Sequence, residues 1–327
     1  MSGQTKKYFS LICSWCFGLL ISILGSAIAS DYAVANSADI IASETVKATT
    51  QVNLWQAIVL GFVQGATEFI PISSTAHLKA IPVFFGWGDP GVSFSAVIQL
   101  GSIAAVLSYF WSDLVQITRG MIKAIRISDY DSREFWMAVG IGVGSIPIII
   151  FGLLLTIFEP SFYENTLRSM TSIAIVSIVM AVLLALAEST GNQKRDFKDL
   201  TVKDGILIGL AQAMAIVPGT SRSGSTMTAG LFSNLDRETA ARYSFLLGIP
   251  AITLAGLVGL KDLVSPIEGE AIAIVPLIGG LISSAIFSYL AIAWLLDFLK
   301  TRSTWSFVWY RSIFGVGILV AVFMGWV

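Results

Sequence analysis

The chain has little charge. Only 13% of its 327 residues are Asp, Glu, Lys or Arg, while 55% are hydrophobic. A soluble domain carries about twice that charged fraction. With 20 basic against 21 acidic side chains, the basic excess that nucleic-acid binding requires is also missing. Histidine occurs once, at His77, and cysteine twice, at Cys13 and Cys16. A disulfide framework and a Cys/His metal cluster are therefore excluded, and the C-x-x-C pair has no further Cys or His to complete a redox site. What the chain has in excess is apolar sequence, with a mean hydropathy of +0.79. That rules out an ordinary cytosolic enzyme and leaves an all-α polytopic membrane protein.

Lys6 and Lys7 precede an apolar stretch from Tyr8 to Ala29, which ends with Ala27 and Ala29 spaced as at a cleavage site. Residues 1–30 read equally as a signal peptide or a membrane anchor, and 31–53 as an exported linker. Six apolar runs follow, at 92–110, 134–158, 170–187, 243–260, 272–296 and 307–327. Each is long enough to cross a hydrocarbon core of about 30 Å as a helix. Loop 111–133 carries Arg119, Lys123, Arg126 and Arg133, and loop 188–204 carries Lys194, Arg195, Lys198 and Lys203. The loops between are poorer in basic residues, so these two are placed in the cytoplasm.

That orientation leaves 54–88 and 205–235 unplaced. Each must enter and leave the membrane on one side, as a re-entrant segment. Pro, Gly and Ser interrupt both, and non-helical backbone survives at membrane depth only inside protein or beside a watery cavity. The expected fold is an inverted-topology repeat of two halves, 54–190 and 191–327, each with one re-entrant segment and three spans. The repeat is visible in the letters. Gly61 and Gln64 recur as Gly209 and Gln212, and Pro71-Ile-Ser-Ser74 recurs as Pro218-Gly-Thr-Ser221 after a one-residue gap.

The first re-entrant segment holds Gln64, Glu68, Pro71, Ser73, Ser74, Thr75 and His77. Glu68 is the only acid between Val52 and Gly88, and an ionised group at bilayer depth is retained where it is paired or functional. Gln64 and Glu68 share a helix face, Pro71 ends that helix, and Ser73 or Ser74 can cap the next. Ser74 and His77 stand i, i+3, a spacing that lets His77 move a proton for the hydroxyl. A purely structural reading makes the serines caps and His77 an interfacial residue. The second segment holds Gly219, Ser221, Arg222, Ser223 and Thr226, with Arg222 the only charge between Asp204 and Asp236. Helix N-terminal amides, hydroxyls and one guanidinium make an anion site suited to phosphate. The structural alternative is a Gly/Ser kink for close helix packing, which the central Arg222 argues against. No P-loop is present.

The two motifs together resemble the signatures of the bacterial bacitracin-resistance family of undecaprenyl-diphosphate phosphatases, and the resemblance runs from about Val52 to Val327. It implies an integral membrane phosphatase that removes the terminal phosphate of a C55 isoprenyl diphosphate and so recycles the lipid carrier for peptidoglycan synthesis. The family further implies a bacterial plasma (inner) membrane location with the site facing the periplasm. Glu68, Ser74, His77 and Arg222 are then the expected catalytic residues, and Gln64, Ser73, Thr75, Gly219, Ser221, Ser223 and Thr226 the expected substrate-binding ones. Ser74 or a water is the nucleophile and His77 or Glu68 the base, with His77 favoured for its spacing from Ser74. Dependence on Mg²⁺ or another divalent cation is also implied, and Glu68 and Gln64 are the available oxygen ligands. Two departures stand out: Gln64 replaces the Glu of many members, and Ala76 replaces the usual Gly. The expected partner is the membrane lipid substrate, with no nucleic acid; a homodimer is compatible with the sequence. A lipid flippase or anion transporter on the same repeat is the alternative, separable by phosphate release in detergent.

Overall fold

The computed structural model describes residues 52–158, 162–264 and 274–326, and among them are eleven α-helices and no strand. The segments expected as signal or anchor (1–30) and most of the linker (31–53) lie outside the described residues. A broken pair, α1 (Leu54–Glu68) and α2 (Ser74–Phe84), is followed by α3 (Gly91–Tyr109), α4 (Trp111–Ile127), α5 (Arg133–Phe158) and α6 (Met170–Thr190). A second broken pair, α7 (Val202–Ala213) and α8 (Arg222–Phe232), precedes α9 (Arg237–Val264), α10 (Ile274–Thr301) and α11 (Trp305–Phe323).

Helices α5, α6, α9, α10 and α11 are each long and apolar enough to cross a membrane, and α3 joins them when taken with α4, from which it bends by 71°. The chain is therefore a multi-pass helical membrane protein. Among the described residues, the six expected runs correspond to α3, α5, α6, α9, α10 and α11, with ends that differ by up to a few residues. By contrast α2 and α8, of 11 residues each, reach only ~16 Å at the rise of an α-helix. Neither can span. One expectation is corrected: residues 111–127 of the loop counted as 111–133 are helical, as α4. Its buried Ile117 and Ala124 lie two turns apart on one face, while Arg119, Lys123 and Arg126 are not buried. Basic residues on an amphipathic helix were indistinguishable from those of a loop by charge alone.

The two broken pairs match in detail. Asn53 caps α1 and Thr201 caps α7, each in a reciprocal capping box, with Gln56 and Asp204 at the third helical position. At the breaks, Ser73 caps α2 with φ 75° and ψ 96°, and Ser221 caps α8 with φ 67° and ψ 114°. A positive φ is uncommon for a residue with a Cβ and costs on the order of 1–3 kcal/mol, so a shared outlier is a strong mark of equivalence. It also corrects the letter alignment. Ser73, not Ser74, is the counterpart of Ser221, no gap is needed, and Ser74 stands opposite Arg222. At the start of α7, burial pushes the Asp204 carboxyl up, but hydrogen bonds from Arg195 and Thr201 outweigh it and hold the group below its usual range.

Packing partners exchange in the same way. α1 lies on α10, and α7 lies on α5. Both contacts are set by glycine: a Cβ at Gly61 would sit 2.3 Å from the Gly280 carbonyl oxygen, and one at Gly209 would sit 2.3 Å from that of Gly144. Neither obstruction is a movable side chain. Gly209→Ala is therefore expected to part α7 from α5, at an overpacking cost of about 1–3 kcal/mol, and to lower the thermal midpoint in detergent by several degrees. Gly142→Ala, whose Cβ would meet nothing within 4 Å, is the control. Equal midpoints for the two variants would refute the close-approach account.

Candidate active site

Glu68 ends α1 and is buried, with 6% of its surface exposed. Burying a carboxylate is costly unless its oxygens are hydrogen-bonded, and four donors reach them. Gln64 Nε2 lies 2.9 Å from Oε2 and Ser74 Oγ lies 2.8 Å from the same oxygen. Arg222 Nη2 lies 3.1 Å from Oε1, and Gln99 Nε2 lies 3.3 Å from it. The helix period places Gln64 one turn before Glu68, as expected. Pro71 and the strained Ser73 turn the chain back so that Ser74, the first residue of α2, faces the carboxylate.

The matching turn presents Arg222 at the first position of α8. Its Nη1 donates to the Ser244 carbonyl at 3.1 Å, and its Cζ lies 5.8 Å from the ring centroid of Phe69. Gly248 makes the room, since a Cβ there would lie 2.2 Å from Nη1. Both turns are fixed from behind by Arg311. This fully buried guanidinium donates to the carbonyls of Pro71, Gly219 and Thr220 at 3.0, 2.7 and 3.0 Å, and to Ser177 at 3.3 Å. The carbonyls of Pro71, Gly219 and Thr220 lie at the helix breaks, so one side chain replaces several backbone hydrogen bonds lost there.

A cavity of about 250 Å³ lies over this arrangement. Gln64, Glu68, Ser73, Ser74, Thr75, Gly219, Ser221 and Arg222 line it, together with Gln99 and Arg168. Drug-sized ligands occupy roughly 300–1,000 Å³, so the space suits a phosphate-bearing headgroup and not a long chain. Three expected site residues lie off its wall. Ser223 donates to the Ile70 carbonyl at 3.2 Å, and Thr226 pairs with the Ser244 hydroxyl at 2.6 Å; both brace the turns. His77 is buried behind the cap of α2. Its Nδ1 lies 2.7 Å from the Ser73 carbonyl, which can only accept, so Nδ1 carries the proton. Nε2, 2.7 Å from the Tyr310 hydroxyl, then spends its lone pair on that neighbour. The ring also stacks on Phe314 at 4.2 Å. No lone pair of His77 is directed at Ser74, and Glu68 holds the position assigned to the imidazole.

Gln99, Gly248, Tyr310 and Arg311 complete the site from outside the two motifs. Gln99 had a signal, an amide within an otherwise apolar run; Gly248 had none. The donor set does not fit a resident divalent cation. Among the described residues no three His, Cys, Asp or Glu side chains are grouped to hold one. The oxygens of Glu68 already accept from Arg222, Ser74, Gln64 and Gln99.

A polytopic helical fold with a buried carboxylate, a hydroxyl and an arginine around a small cavity defines a membrane-embedded site for anionic headgroups. The comparisons with known proteins agree. The family model described as bacitracin resistance protein BacA matches residues 57–317, and the chain belongs to that family. Proteins named undecaprenyl-diphosphatase from Synechocystis sp. and Nostoc sp. are each 62% identical, over 84% of this chain and 84% and 86% of their own. One of the same name from Synechococcus elongatus is 59% identical over 86% of this chain and 97% of its own.

Gly248→Ala is expected to displace the Arg222 guanidinium while leaving the backbone intact, because the atoms met are those of a flexible side chain. Calorimetry with inorganic phosphate is expected to show about tenfold weaker binding, one charge-assisted contact, with the helix content by circular dichroism unchanged. Unchanged phosphate affinity would show that Arg222 does not face the anion.

Proposed function

We propose that this protein hydrolyses undecaprenyl diphosphate to undecaprenyl phosphate and inorganic phosphate. The reaction takes place in a bacterial plasma membrane with the cavity open to the periplasm, and returns the lipid carrier to peptidoglycan synthesis. The observation that carries the proposal is the 2.8 Å contact from the Ser74 hydroxyl to Glu68, itself paired with Arg222. It is supported by the activity named for relatives at 59–62% identity. The two-half organisation, 54–190 and 191–327, belongs to the same proposal, supported by the matched caps and exchanged packing.

The Ser74 proton passes to Glu68 as Oγ attacks the terminal phosphorus, and the prenyl monophosphate leaves. Protonation of Glu68 removes the negative charge that holds Arg222. Its guanidinium is released toward the phosphoryl oxygens as charge accumulates on them, so the cation is strongest where the transition state needs it. Glu68 then gives that proton to the departing prenyl monophosphate, and the carboxylate so restored takes a proton from the water that attacks the phosphoserine. The P–Oγ bond breaks, inorganic phosphate leaves, and Glu68 returns the proton to Ser74 Oγ. His77 and Arg311 hold the turns in shape and touch no reacting atom.

The test is phosphate release from C15 to C55 prenyl diphosphates in detergent, where a flippase or transporter releases none. Glu68→Gln is expected to lower kcat by about 10²–10⁴ and to abolish the acidic limb of the pH–rate profile, which reports protonation of the base. His77→Gln is expected to lower turnover through the distorted cap yet keep that limb in place. Loss of the limb in His77→Gln and its retention in Glu68→Gln would return the role to the imidazole.

A further inference from the structure

We propose that α4 is an interfacial helix that binds anionic phospholipid headgroups at the membrane face where α3 ends. α3 has 19 residues, so at the rise of an α-helix it covers ~28 Å, close to a hydrocarbon thickness of about 30 Å. α4 turns from it by 71°. Spanning helices tilt by only about 20° on average, so α4 runs nearer to the membrane plane than to its normal. At the helical period its residues present three faces. Ile117 and Ala124 are buried, on the helix that packs against α5. Trp111, Ile122 and Ile125 form a second, apolar stripe and are 67%, 41% and 52% exposed. Arg119, Lys123 and Arg126 form a third, basic stripe, and all three are exposed. An apolar stripe with a basic one beside it is the pattern of a helix lying in the headgroup region.

The charges decide between lying on the membrane and entering it. Asp113 is paired with Arg242, and Glu134 accepts from Gln116 at 3.2 Å. Arg119, Lys123 and Arg126 make no ion pair among the described residues. Unpaired cations are expensive in hydrocarbon, which argues against α4 as the second half of a broken span. At headgroup depth the same charges attract anionic lipid. A groove of about 600 Å³ between α4 and the start of α5 gives that lipid a seat. Arg119 and Lys123 line it with Ser112 and Gln116, against the single acid Glu134. Gly120 brings the two helices together there, since a Cβ on it would lie 2.3 Å from that of Glu134. A phosphodiester suits two cations flanked by neutral donors, whereas a zwitterionic headgroup brings its own ammonium into the same basic groove. Trp111 also lines the groove, an amphipathic ring of the kind enriched at the membrane boundary. The apolar stripe beside the cations favours a lipid surface over an acidic protein.

Thermal unfolding of the full chain in detergent micelles, with phosphatidylglycerol or phosphatidylcholine added at equal mole fraction, tests the proposal. Phosphatidylglycerol is expected to raise the midpoint by several degrees more than phosphatidylcholine does. That difference is expected to vanish near 1 M salt, where the Debye length is ~3 Å. Arg119→Gln, Lys123→Gln and Arg126→Gln combined are expected to remove most of it, with apparent affinity for phosphatidylglycerol lower on the order of a hundredfold. Lys194→Gln, Lys198→Gln and Lys203→Gln combined delete as much charge from other exposed lysines and are expected to keep the difference. Depth is a second measurement, which leaves every charge in place. With Cys13 and Cys16 replaced by Ser, a fluorophore on Ile125→Cys in vesicles of phosphatidylcholine and phosphatidylglycerol is expected to be quenched more by spin labels near the headgroup than by labels at the acyl terminus. Stronger quenching from the bilayer centre would overturn the proposal. So would equal losses of lipid preference in the two triple variants, or a wild type that does not distinguish the two lipids.

Discussion

A carboxylate buried to 6% exposure inside a membrane protein is the constraint around which the rest is arranged. Glu68 is tolerable only if hydrogen bonds and a counter-charge replace water, and breaking such a buried pair by removing one partner costs several kcal/mol. Its donors come from four places in the chain: one turn earlier on α1, the start of α2, the middle of α3 and the start of α8. Bringing the last of these to the same point requires the second broken helix to meet the first. The ion pair therefore ties the two most similar parts of the chain together across 154 residues.

The close approach has its own demands. Gly61 and Gly209 let α1 and α7 press backbone to backbone on α10 and α5. Ser73 and Ser221 accept unfavourable φ angles so that the chain reverses within a few residues. Arg311 satisfies the carbonyls those reversals expose. Each device is costly alone, and together they fix Ser74 and Arg222 on either side of one carboxylate. Strain and buried polarity concentrate where the chemistry is, as expected of a preorganised site.

The sequence made the membrane class and the six long helices legible because apolar length is a strong signal. Glu68 and Arg222 were legible for the opposite reason, one the lone acid and the other the lone charge of an apolar stretch. α4 was hidden because basic residues on a helix count the same as those in a loop. The letter match between the two broken pairs was out of step by one residue at its second half, since the prolines match in letters while the backbone turn matches Ser73 to Ser221. His77 shows the limit most plainly. Its i, i+3 spacing from Ser74 is real, yet its ring turns to Tyr310, 233 residues away, and nothing local announces that partner. Gly248 depends in the same way on what lies opposite it in space.

Because one ion pair carries the account, a double-mutant cycle on it is the most direct measurement. Phosphate release from a prenyl diphosphate is compared for Glu68→Gln, Arg222→Gln and the double variant. If the proton reaching Glu68 is what frees Arg222, the two residues act as a unit, and the double variant is expected to lose no more kcat/KM than the worse single variant, within about threefold. Losses that multiply would show that Glu68 and Arg222 act independently, and would contradict the coupling at the centre of this structure.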